Sequence, residues 1–108
     1  MVEVHLTNGA DTEARQDVAD AMVVGGNLRY ATMDGTPNKI EGGAVSKAVS
    51  NRDLKVSVKA HATGGKRTFE NARFVNYDPT DKMVYVSGPG FMERIVGEIV
   101  RVRRGDLP

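Results

Sequence analysis

The stretch Leu54-Lys55-Val56-Ser57-Val58-Lys59-Ala60-His61-Ala62-Thr63 alternates apolar and polar side chains without a break. A period of two puts every apolar residue on one side of an extended chain, so this is a strand with one dry face. Gly64-Gly65 follows, then a second extended run through Phe69 to Tyr77, the turn Asp78-Pro79-Thr80-Asp81, and a third run from Met83 to Val86. Three consecutive strands joined by short turns predict an antiparallel meander.

Working outward, Val2, Val4 and Leu6 alternate with Glu3, His5 and Thr7 before Asn8-Gly9, which predicts a short first strand that pairs at a distance. Ala14, Val18, Ala21 and Met22 recur at three- and four-residue spacing behind a capping Asp11, and Gly25-Gly26 closes the segment; this predicts a helix over roughly 12–24. Leu28, Tyr30 and Thr32 begin another extended run that breaks at Asp34-Gly35. From Lys39 to Asp53 the only sizeable apolar side chains are Ile40, Val45, Val49, which fits a loose strand, a short helix over Ala44 to Ala48, or an extended arm. Phe91 to Arg104 carries helical periodicity, but its β-branched residues, the internal Gly97 and the flanking Gly88-Pro89-Gly90 favour a strand. The expected fold class is α+β, mainly β: a small antiparallel sheet or barrel-like meander with one N-terminal helix. It is expected as a single domain over residues 1–108, with a possible extended arm at 36–50.

Composition bounds the function classes. At 108 residues the chain suits one core, and without cysteine it has neither disulfides nor thiolate metal sites. Tryptophan is absent and aromatic residues make up 6%, so the core must be assembled from small aliphatic side chains and association becomes a natural supplement. Residues 1–54 hold eight acids against five bases and residues 55–108 six acids against ten bases. Such polarity suits head-to-tail stacking or an acidic partner. No membrane span and no signal peptide are expected, the opening Met1-Val2-Glu3-Val4-His5 being neither.

Motifs for chemistry are thin. Ala62-Thr63-Gly64-Gly65-Lys66-Arg67-Thr68 superficially matches a phosphate-binding loop, but Ala60 stands where a glycine is required and Arg67 where a hydroxyl should follow the lysine. It reads as a hairpin turn carrying positive charge. His5 and His61 lie on separate strands, and Asp78 and Asp81 flank a proline turn where carboxylates bond to their own backbone. No cofactor, metal or catalytic residue is expected, and the chain is not expected to be an enzyme. Lys59, Lys66, Arg67 and Arg73 are candidate nucleic-acid contacts, with Tyr77 and Tyr85 as stacking surfaces.

Leu54 to Val102 resembles an Sm-like small barrel in shape, with Leu54 to Ala62, Gly64-Gly65, Ala72 to Asp78 and Ile95 to Val102 in the places of its strands and turn. That resemblance implies a ring-forming RNA binder. Ala72, Tyr77, Val84, Val86, Ser87-Gly88, Ile95, Gly97 and Ile99 give a generic likeness of spacing to periplasmic lipopolysaccharide-transport β-jellyrolls. Neither resemblance carries a functional residue over. The reading expected from the residues is a non-enzymatic assembly protein, a β-rich subunit of a homo-oligomer such as a virion shell, neck or tail component. Its expected contacts are Ile40, Val45, Val49, Arg101, Arg103 and Arg104, and its setting virion or cytoplasm. A small nucleic-acid-binding β-barrel module is the alternative.

Overall fold

A computed structural model describes residues 1–107. Nine antiparallel strands and no helix make up the described chain: β1 (Val2–Thr7), β2 (Thr12–Arg15), β3 (Val18–Val24), β4 (Asn27–Thr32), β5 (Pro37–Glu41), β6 (Ala44–Ala60), β7 (Lys66–Asp78), β8 (Met83–Gly88) and β9 (Phe91–Arg104). The meander predicted from Leu54 onward is β6, β7 and β8, each antiparallel to the next. The first strand pairs at long range, with Val4 opposite Ala48. Phe91 to Arg104 is a strand.

The helix expected over 12–24 is overturned, and with it the α+β class: these residues form β2 and β3 of an all-β fold. A β-bulge explains the misreading. Between Val18 and Asp20 the register to β4 shifts by one residue, so Val18 and Ala21 both face the core although they are three apart. That spacing imitates one helical face. Gly25-Gly26, read as a helix stop, is instead a two-residue hairpin loop joining Val24 to Asn27, with φ of +60° and +79°. Positive φ at both central positions is the turn whose twist matches that of the flanking strands, and only glycine and asparagine adopt it readily.

The sheet folds over on itself because three long strands serve two layers. The first half of β6 (44–50) lies between β1 and the end of β7, whereas its second half (54–60) lies between the start of β7 and β9. β9 likewise pairs with β8 through Val96 and with β6 from Gly97 onward. The front layer therefore runs β2-β1-β6-β7-β8-β9 and the back layer β7-β6-β9-β3-β4-β5. Residues 36–50, the possible arm, form β5 and the first half of β6 within these layers.

Between the layers sits one aliphatic core, including Val4, Leu28, Leu54, Val56, Val58, Val75, Val84 and Val102, each at most 2% exposed. Each such side chain contributes about 1.5–3 kcal/mol by leaving water, and a core built mainly of valine and other small aliphatic residues needs many of them. Across the core, the Arg15 guanidinium of β2 lies 5.4 Å from the ring centre of Tyr30 in β4, which ties the two layer margins together. At the β6 corner, Arg73 donates to Asp53 Oδ1 at 2.9 Å and to the Asn51 carbonyl at 2.8 Å, and the Met1 amino group bonds to the Asn51 side chain. These bonds hold Asn51–Asp53 where the chain changes layer.

Candidate interaction faces

The acidic groups Asp34 and Asp78 serve turns, and Asp17 serves an ion pair. Asp34 accepts bonds from the Thr32 hydroxyl and from Thr36 N (3.0 Å), and these hold its carboxyl down at about 2. Asp78 Oδ1 caps Thr80 N at 2.9 Å. Asp17 grips Arg15 with both oxygens, at 2.9 and 2.7 Å, which lowers its carboxyl below the ordinary range. His5 bonds to Glu3 at 2.8 Å on the front layer, while His61 lies in the β6–β7 turn. Among the described residues no three histidines or carboxylates gather as a metal set.

What the fold does organise is two outward sheet faces. Strand alternation places Glu3, Val49, Phe74, Ser87 and Met92 in one register row across the front layer. His5, Lys47, Asn76, Tyr85 and Arg94 form the next row, and Asp78, Met83 and Val96 a third. Met92 is 75% exposed, Val96 48% and Val49 40%, and the Lys47 ammonium stands 5.8 Å from the Phe74 ring centre. Apolar side chains thus occupy the middle and one flank of a face that carries Glu3 and Arg94 at its ends and Lys47 beside Phe74.

The back layer presents the opposite chemistry. Thr68, Ser57, Arg101, Met22, Arg29 and Lys39 align in a single row over six strands. Lys66 stands directly opposite Lys59, which is directly opposite Glu98. A groove of about 660 Å³ crosses this face, with Val100 and Ser57 on its floor, Lys59 and Lys66 on one side and the Gly25-Gly26 turn on the other. Val100 is 9% exposed yet lies outside the core cluster, because a register shift between Ser57 and Val58 breaks the alternation of β9 there.

The candidate contacts from the sequence are scattered by this arrangement. Val45 is 3% exposed in the core, Ile40 packs half-buried against it, and Val49 stands on the front face. Arg101 is engaged by Asp20 through two bonds of 3.0 and 2.6 Å, which raises its pKa, and Arg104 donates to the carbonyls of Val18 and Gln16. Both serve the β3–β9 junction, while Arg103 lies beside them opposite Lys55. Of the nucleic-acid candidates, Lys59 and Lys66 are neighbours, Arg67 turns the other way over Phe69 at 5.0 Å, and Arg73 braces the corner. Tyr77 packs against the core and Tyr85 stands on the front face, so neither accompanies the lysines.

Sequence reasoning missed Phe74, Met92 and Val96 as one surface and Arg29 and Lys39 as part of another. Alternation along each strand was a usable signal for which side chains share a face, but the order of strands was not. Comparison of the chain with protein-family models, with curated proteins and with solved structures finds no significant match.

Proposed function

We propose that this chain is a non-enzymatic building block whose front face binds a second copy of itself. The observation that carries the reading is the front face, where Val49 beside the half-buried Phe74, and Met92 and Val96 on the β9 flank, are apolar and open to water, with Glu3 at one end and Arg94 at the other. Apolar side chains left open to water together on one face of a folded domain cost free energy that association recovers. A two-fold axis parallel to the strands, passing near Phe74, brings the Glu3 end of one copy over the Met92–Arg94 end of the other, so acid meets base at both margins. The virion shell, neck or tail component expected from the sequence is one setting for such a block; the face supports self-association and no particular setting.

Sedimentation across a concentration series tests this. The wild type is expected to sediment as a dimer or larger closed species at tens of micromolar, and Val49→Asp with Met92→Glu to remain monomeric with an unchanged unfolding midpoint. A wild type that stays monomeric near millimolar concentration would falsify the reading.

A further inference from the structure

We propose, beyond self-association, that the outer face of the back layer binds the phosphate backbone of single-stranded nucleic acid. The central row sets Arg101, Arg29 and Lys39 in line; Lys66 and Lys59 lie on one side of it and Lys55 and Arg103 on the other. Fewer acids share the face. Asp20 is held by Arg101, Glu70 lies 3.3 Å from Lys55, Glu41 lies 3.9 Å from Lys39, and Glu98 faces Lys59 without closing an ion pair. Arg29, Lys59 and Lys66 make no ion pair among the described residues.

Two lysines directly opposite on neighbouring strands repel, and Glu98, across from Lys59 alone, offsets this only in part without closing an ion pair on either. An anion seated between them does. The adjoining hydroxyls of Ser57 and Thr68, 3.0 Å apart, add neutral donors of the kind that hold phosphate oxygens. Positive charge is strung along a face about 24 Å wide, taking six strands at ~4.8 Å spacing, rather than focused in one pocket. That distribution suits a linear polymer with a charge on every unit. Among the described residues no aromatic ring stands in the middle of this face: Tyr30, Tyr77, Phe69 and Phe91 pack against the core, and Phe74 and Tyr85 belong to the other layer. Recognition therefore falls on phosphates rather than bases and is independent of sequence.

Fluorescence anisotropy with a labelled oligothymidylate of about 20 nucleotides tests the proposal. Raising salt from about 50 to 200 mM is expected to weaken binding roughly 20- to 50-fold, the loss for three or four phosphates neutralised on a single strand. Lys59→Gln with Lys66→Gln should weaken it at least about tenfold, Glu98→Gln should tighten it, and Arg94→Gln on the front face should leave it unchanged, all with unfolding midpoints matching the wild type. Absence of binding at 50 mM salt, or full affinity in the double lysine variant, overturns the proposal. Displacement of the oligonucleotide by polyglutamate at equal charge also overturns it, assigning the face to an acidic protein partner. Repeating the titration with Val49→Asp, Met92→Glu, whose front-face contact is broken, separates this result from self-association.

Discussion

At the residue scale, glycines decide where the sheet can double over. A Cβ built on Gly97 would stand 2.1 Å from the carbonyl oxygen of Lys59, and one on Gly88 the same distance from that of Asn71. Both neighbours are backbone atoms of strands already fixed by pairing, so no side-chain rotation relieves the overlap. Gly97 is where β9 leaves β8 for β6. Gly97→Ala is expected to cost at least the upper end of the roughly 1–3 kcal/mol of an overpacked core, read as a fall in the urea midpoint. Gly65→Ala is the contrast: its nearest new neighbour is the Thr63 hydroxyl at 3.3 Å, and its backbone does not require glycine. That variant should unfold within about 0.5 kcal/mol of the wild type. Equal losses in the two would show that glycine content, and not the β9 crossing, limits stability.

At the element scale, what was legible in the sequence was whatever kept a strict period of two. β1, the second half of β6, and β8 alternate without interruption, and their turns carry glycine, asparagine or proline at the positions that need them. β3 was hidden because its bulge places two buried residues three apart, and β9 was ambiguous because apolar Met92 and Val96 stand on its outward face and the irregularity at Val100 adds a further apolar residue out of step, together imitating a helical spacing. Local pattern cannot separate a bulged strand from one helical face; pairing does so by supplying a partner for every backbone group. The Gly25-Gly26 loop gives the sharpest test of that correction. Gly25→Asn is expected to stabilise by about 0.4–1 kcal/mol, since asparagine tolerates φ near +60° and narrows the unfolded ensemble. Val at both positions is expected to destabilise by about 1–2 kcal/mol each. Denaturation midpoints moving in opposite directions identify a hairpin; a neutral double-valine variant would contradict it.

At the scale of the whole molecule, the two faces were illegible for a common reason. Arg29 and Lys39 reach Lys59 only through the order β6-β9-β3-β4-β5, and Val49 reaches Met92 only through β7 and β8. Charge counted along the chain gave an acidic and a basic half, whereas the fold mixes both halves on each surface: Arg29 and Lys39 come from the acidic half and stand on the basic face. The two faces lie on opposite sides of a molecule whose shortest extent is 21 Å. A dimer formed through the front faces therefore turns its basic faces outward, away from each other, and cannot hold one short strand with both. It can hold two separate strands, or two distant parts of one. With polythymidylate of several hundred nucleotides, the wild type above its dimer dissociation constant is expected to cross-bridge strands, seen as a rise in light scattering near one subunit per binding site and its reversal in excess polymer. Val49→Asp with Met92→Glu should bind a 20-nucleotide strand with the wild-type affinity, within about twofold, and produce no such rise. Loss of short-strand affinity in that variant would mean that the basic surface is completed across the subunit contact, so that assembly and anion binding share one site rather than two.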